Sequence, residues 1–167
     1  MTSYRRTRSA ILEGTKSLIA TVGLQRTNMI EIADCSEVSR ATLYNHFRDK
    51  NSVLRALLEN EVERVLQLVE GEISPAQALV HLSSEISSDP ALAMMRKTDP
   101  AILAQLFISI EDSFWQKIHS GLHRFLKNEN LAQIAQLWLV GQVFQPVTGE
   151  QAREQAHAIA SSMQQHI

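Results

Sequence analysis

Apolar positions recur along most of this chain at three- and four-residue spacing, the period that lines one face of an α-helix, and no stretch shows the strict alternation of a half-buried strand. From Ser9, the residues Ile11, Leu12, Leu18, Ile19 and Val22 form such a face, and Gly23 stops it. Asn28, followed three residues later by Glu31, is a capping box, so a second helix is expected to begin at about Met29 with Met29, Ile32 and Ala33 on its apolar side. The polar run Asp34, Cys35, Ser36, Glu37 interrupts it before Val38 returns to the core. Ser39 then caps a third helix, over 40–46, which has only Ala41 and Leu43 to pack. Asp49 caps a fourth, where Val53, Leu54, Leu57, Leu58, Val62, Val65 and Leu66 continue the period towards Gly71. At about 20 residues this helix would be close to ~30 Å long, and it links the two ends of the molecule.

Beyond Gly71 three helix starts share one device, a polar cap followed by proline: Ser74-Pro75, Asp89-Pro90 and Asp99-Pro100. They predict a helix over 75–87, a short one over 90–97, and a long or kinked one over 100–127. Two more, over 131–144 and 149–167, close the chain, the last capped by Thr148 with Gln151 in the capping-box position. The fold class is therefore all-α. The expected division is an N-terminal three-helix bundle, residues 1–50, joined by the linking helix to a helical body, residues 51–167.

A third helix this polar has little core to bury. Its Arg40, Thr42, Tyr44, Asn45 and His46 are residue types that contact DNA bases and phosphates. Two short helices joined by a tight turn present such a helix to the major groove. Charge agrees with this polarity. Residues 1–50 hold eight Lys or Arg against five Asp or Glu, a net +3, whereas residues 51–167 hold eight against thirteen, a net −5. Arg5, Arg6 and Arg8 in the first eight residues read either as a basic arm for phosphates or a minor groove, or as a disordered end.

At these residues the chain resembles the tetracycline-repressor-like (TetR) transcriptional regulators. The matching positions are Gly23, Thr27 and Asn28, Ile32 and Ala33, Val38 and Ser39, Thr42 to Tyr44, His46 and Phe47, and Lys50, all within 28 residues. The specific resemblance covers roughly residues 5–60, and beyond that only the helix order is similar. It implies a DNA-contacting set of Thr27, Asn28, Ser39, Arg40, Ala41, Thr42, Tyr44, Asn45, His46 and Lys50. Arg40, Ala41, Tyr44 and Asn45 would reach base edges, and Thr27, Thr42, His46 and Lys50 would hold phosphates. The family usually has Ala-Gly before Val-Ser, and here Ser36 and Glu37 stand there. A positive φ at Glu37 would cost on the order of 1 kcal/mol, and its charge would oppose phosphate.

The closing helices carry too much apolar surface for one core. Leu131, Ile134, Leu137, Trp138, Leu139, Val140, Val143 and Phe144 nearly encircle the first, while Ala152, Ala156 and Ala160, with Ile159, Met163 and Ile167, form a stripe on the second. Two such pairs would form a four-helix bundle across a twofold axis, so a homodimer is expected through Ile134, Trp138, Ala152, Ala156, Ile159, Ala160 and Met163. The resemblance also implies a small-molecule effector site in the body, with Leu82, Met94, Met95, Leu103, Phe107, Ile110, Phe114 and Trp115 as its candidate wall.

Other chemistry finds little support in the sequence. A composition of 44% hydrophobic and 20% charged residues, with four Pro and six Gly, fits a helical globular chain. One Cys makes neither a disulfide framework nor a zinc pattern, and no catalytic spacing such as a phosphate loop, nucleophile elbow or HExxH occurs. His119 and His123 share a helix face at i, i+4 but, lacking Cys, read as a solvated pair rather than metal ligands. No cofactor, metal or catalytic residue is expected. Without a spanning apolar run or a signal-peptide core the expected compartment is the cytoplasm. The reading is a sequence-specific DNA-binding regulator, repressing by family resemblance and released from a palindromic operator by an effector. Its rival is a helical dimeric adaptor or ligand-binding protein that keeps the fold with weak or no DNA binding.

Overall fold

The computed structural model describes residues 3–71 and 74–162. Among them are ten helices and no strand. They are α1 (Ser3–Val22), α2 (Met29–Cys35), α3 (Arg40–His46), α4 (Lys50–Leu68), α5 (Pro75–Ser88), α6 (Pro90–Thr98), α7 (Pro100–Ile108), α8 (Asp112–Leu126), α9 (Glu129–Phe144) and α10 (Gly149–Ser161). The caps explain most of these boundaries. The Asn28 side chain accepts from the amides of Ile30 and Glu31 to start α2, Ser39 accepts from Thr42 to start α3, and Asn128 accepts from Leu131 to start α9. The reciprocal pair of a full capping box forms between Thr148 and Gln151.

Two elements differ from expectation. The basic N-terminal residues are helical from Ser3, so Arg5, Arg6 and Arg8 ride on the first two turns of α1 rather than on an extended arm. The helix expected over 100–127 is two helices, α7 and α8. Glu111 leaves helical geometry (φ −69°, ψ 150°) and restarts the chain, with Asp112 in the first turn of α8, where a negative charge faces the positive end of the helix dipole.

The chain divides into two compact units. The first is Met1–Glu61 with Pro90–Phe107, and the second is Val62–Asp89 with Ile108–Ile167. α4 contributes to the first through Glu61 and to the second from Val62. In place of a cut near residue 50, α6 and α7 join the N-terminal helices because α6 packs along α1.

In the first unit Ile11, Leu12, Ile19, Leu24, Ile32, Leu43 and Val53 are buried and hold α1 to α4 around one core. Burying a side chain such as Leu43 contributes about 1.5–3 kcal/mol, enough to fix one face of the seven-residue α3. α1 meets α2 closely, and it does so at Gly14. In the second unit α10 packs on α5, α5 on α9, and α8 on α9. Its core gathers Val69, Ala78, Leu79, Leu82, Leu122, Leu126, Ala132, Ala135, Leu139 and Ala156. Gln142 and Ser83 are buried within this unit and satisfy one another, the Ser83 hydroxyl donating to Gln142 Oε1 at 2.5 Å.

Candidate nucleic-acid interface

The turn between α2 and α3 is closed by backbone bonds alone. Glu37 N–H donates to the Asp34 carbonyl at 3.2 Å and Val38 N–H to the Ala33 carbonyl at 3.0 Å, the paired bonds of a Schellman motif. The motif needs a left-handed residue between them, and Glu37 supplies it with φ 55° where glycine is the unstrained choice. Ser36 beside it is buried.

With Leu43 pointing into the core and Ser39 capping the start, α3 exposes Arg40, Ala41, Tyr44 and Asn45 together. These are the four residues expected at base edges. Thr42 is half-buried, its hydroxyl 2.8 Å from Ser39 Oγ at the helix start. His46 is half-buried and stacks on Tyr4 with ring centroids 4.2 Å apart, and its Nδ1 is buried without a hydrogen-bond partner. The Arg8 guanidinium lies 5.5 Å from the centre of the Phe47 ring, a cation–π distance that ties the start of α1 to the end of α3.

Two expected phosphate holders are occupied within the protein. Thr27 is buried, and its hydroxyl donates to the Gly23 carbonyl at 2.8 Å, so its side chain closes the turn before α2. Lys50 donates from Nζ to the Leu24 carbonyl at 2.6 Å. Its pKa is lowered from 10.5 by burial, an effect opposed by the Asp99 charge. Asn28 is exposed at the first turn of α2, where its side chain serves as cap. Arg48, absent from the expected set, is a further cation beside α3, with a side chain 94% exposed and Nε 3.5 Å from Asp49 Oδ2. Its place directly after His46-Phe47 was the only sequence signal for it.

The residues expected around an effector fall in both units. Met94, Met95, Leu103 and Phe107 belong to the first, with Met95 and Leu103 in its interior; Leu82, Ile110, Phe114 and Trp115 belong to the second. Phe114 and Trp115 meet edge to face, centroids 5.9 Å apart. Of the residues expected at a dimer contact, Ala152 and Ala156 are buried within the single chain, Ala156 in the second unit's core, on the helix α10 that packs against α5. Ile134 is 50% exposed on α9; Trp138 is half-buried and donates from Nε1 to Gln155 at 2.6 Å; Ile159 and Ala160 are half-buried, and Met163 lies outside the described residues. His119 Nε2 sits 3.0 Å from Glu129 Oε1 and His123 Nε2 3.9 Å from Glu129 Oε2.

A capped, short, polar helix held over a turn by one buried leucine, and preceded by a bracing helix, is a helix-turn-helix, the motif that presents its second helix to a DNA major groove. The segment that carries it, residues 11–57, matches the model of the bacterial regulatory proteins, tetR family. The chain as a whole has the fold of a solved TetR-family transcriptional regulator. Among solved structures it is similar to GusR of Salmonella enterica, at 19% identity over 98% of this chain and 96% of that one, with a TM-score of 0.69. It is also similar to a TetR transcriptional regulator from Rhodococcus sp. RHA1 (19% identity, 98% of each chain, TM-score 0.64) and to SmeT in complex with triclosan (17% identity, 92% of this chain and 90% of that one, TM-score 0.62). No curated protein matches it in sequence. No helix among the described residues is long and apolar enough to cross a membrane.

Proposed function

We propose that this chain is a cytoplasmic, homodimeric, sequence-specific DNA-binding regulator that represses from a palindromic operator and is released by a small-molecule effector. The observation that carries the reading is the exposed set Arg40, Ala41, Tyr44 and Asn45 on a capped helix whose opposite face is anchored by buried Leu43. Arg and Asn supply bidentate base contacts, and Thr42 and Ser39 at the helix start stand where phosphate meets backbone amides. Thr27 and Lys50 then act chiefly by shaping the turn before α2, and Arg48 joins the phosphate-facing cations.

The dimer contact proposed is the outer face of α9, where Ile134, Leu137, Gly141 and Phe144 follow one another at three- and four-residue steps. Ile134, Leu137 and Phe144 are 50%, 68% and 41% exposed, and apart from its own stretch of helix nothing lies within 4 Å of the position a Gly141 side chain would take. An apolar stripe with a glycine at its centre suits close contact with the same helix of a second copy. For the effector, the half-buried Phe114 and Trp115 of the second unit are the proposed aromatic contacts. That SmeT was solved with triclosan supports a small apolar molecule as the class.

The rival reading, an adaptor with the fold but little DNA binding, draws on Glu37, whose exposed carboxylate adjoins α3. Anisotropy titration of a random-sequence duplex at low salt, followed by selection from a random duplex library, separates the two. Salt-dependent binding and an enriched palindrome support the regulator, while no binding at low salt supports the adaptor.

A further inference from the structure

The turn that leads into α2 is held by local bonds, among them Thr27 N–H to the Leu24 carbonyl at 3.3 Å, and by two side chains distant in sequence, Asp99 and Lys50. Leu24 is buried, yet its backbone amide donates to Asp99 Oδ2 at 2.9 Å, and the next amide, of Gln25, donates to Asp99 Oδ1 at 3.4 Å. The Leu24 carbonyl accepts from Lys50 Nζ, and the Gly23 carbonyl from Thr27. Asp99 is itself 5% exposed and takes a further bond, 2.6 Å, from the Thr98 hydroxyl. It had the look of a helix cap, standing before Pro100 at the junction of α6 and α7. Its backbone does serve that junction, the amide donating to Met95 and the carbonyl accepting from Leu103. The carboxylate points elsewhere. A side chain at Gly23 would come within 2.7 Å of both Asp99 Oδ2 and Thr98 Oγ1, and Gly23 has φ 84°, so the turn and the α6–α7 elbow are fitted to each other from both sides.

We propose that Asp99 is a positioning residue for DNA binding: its carboxylate, delivered by the α6–α7 elbow, fixes the Gly23–Gln25 turn and so sets the approach of the helix-turn-helix. This rests on the DNA-binding reading above. The physical reason is that the turn runs straight into Asn28, the cap of α2, so any relaxation of it is passed to α2 and, through the tight Glu37 turn, to α3. The Leu24 amide is buried and needs a protein acceptor, the Gln25 amide beside it is part-buried, and an acceptor that is ionised binds them more strongly than a neutral one. Asp99 touches no DNA on this account. Its contribution is to hold α3 within the small tolerance that base-edge hydrogen bonds allow.

The test uses the full chain and a duplex that the wild-type protein has itself selected from a random library. Wild type, Asp99→Asn and Thr98→Val are compared at a temperature where each is fully helical by circular dichroism, with Leu24 and Gln25 amide exchange followed in parallel. Asparagine keeps the shape but gives up the charge and one acceptor. The expected result is faster exchange at Leu24 and Gln25 and an affinity for the selected duplex reduced about tenfold or more, the scale of a lost hydrogen bond to a charged group. Thr98→Val, exposed and able to fold if Asp99→Asn is not, should show the same changes on a smaller scale, about threefold. Asp99→Asn with a lower melting temperature but unchanged affinity per folded molecule would make the residue merely structural and overturn the proposal. So would unchanged exchange at Leu24. Should the wild-type protein select and bind no duplex, the DNA-binding reading itself fails, a result visible without any variant, and the positioning role falls with it.

Discussion

Gly14 of α1 faces the backbone of Ser36 at the end of α2, so closely that a methyl group on Gly14 would stand 2.9 Å from the Ser36 Cα. The Ser36 Oγ is nearer still and could turn away, but the Cα is main chain and cannot yield by a rotamer change. Ser36 also donates to the Ile11 carbonyl at 3.4 Å, one turn earlier on α1. Gly14→Ala is therefore expected to destabilise the chain by about 1–3 kcal/mol despite alanine's better helix propensity. Urea denaturation measures it, and a variant as stable as wild type would mean that α1 can shift on α2.

Glu37 presents the opposite case, strain that a substitution relieves. Glycine adopts its φ of 55° freely, so Glu37→Gly should raise stability by roughly 1 kcal/mol and the melting temperature with it. Removing a carboxylate beside α3 should also tighten duplex binding. A loss of stability on this change would place an unrecognised interaction on the Glu37 side chain.

Base reading and phosphate holding separate by salt. Asn45→Ala and Arg40→Ala should each lose about 1–3 kcal/mol on the selected duplex and relax the preference at one position per half-site. Arg48→Ala should weaken all duplexes alike and flatten the salt dependence by about one unit per subunit. Lys50→Ala should lower stability as well, because its ammonium is bonded to the Leu24 carbonyl. Affinities for selected and random duplexes across a salt series, read beside denaturation curves, distinguish these outcomes. A change of sequence preference from Arg48→Ala alone would put the groove contact on the wrong helix face.

Leu137→Glu tests the α9 contact without touching the core, since that side chain is 68% exposed. Sedimentation should show folded monomer in place of dimer. Ala156→Arg, by contrast, should unfold the second unit, because Ala156 is wholly buried in that unit's core within the single chain. A folded dimer of Leu137→Glu would place the contact elsewhere.

Asp49, the cap of α4, offers a pH test. Its carboxylate accepts from the Ser52 amide at 2.8 Å, and chiefly for that reason its pKa lies below the ordinary 3.8. A folded-state pKa below the unfolded one gives stability that is present above the unfolded value and lost as pH falls through the folded value. Wild type should then be more stable than Asp49→Ala at neutral pH, with the difference shrinking below pH 3.8. Chemical denaturation at stepped pH reads it; a constant difference into strong acid would show that the carboxylate charge is irrelevant to the cap.

Local features were the ones legible in the sequence. Caps at Asn28, Ser39 and Thr148 announce themselves because the residue and its amide partner are two or three positions apart. The positive φ at Glu37 could be anticipated only through the resemblance, which has glycine at that place. Contacts between distant residues could not be read in this way. Asp99 before Pro100 has the composition of an ordinary cap, and nothing near it in the chain reveals that Leu24 and Gln25 supply its donors. Gly14 sits inside an apolar helical period and gives no sign of Ser36. Ala152 and Ala156 form a small-residue stripe that states close packing without naming the partner; both are buried within the single chain, Ala156 in the second unit's core.

The first unit is completed by a segment, Pro90–Phe107, that follows it by almost thirty residues. During synthesis the N-terminal helices therefore leave the ribosome before the α6 that covers α1 and before the carboxylate that satisfies Leu24 and Gln25. The early chain holds these groups open to solvent and to chaperones, and its folding is completed only when Phe107 has emerged. A truncated translation product ending in α4 or α5 would carry every residue of α3 and still lack the Asp99 carboxylate that accepts from Leu24 and Gln25.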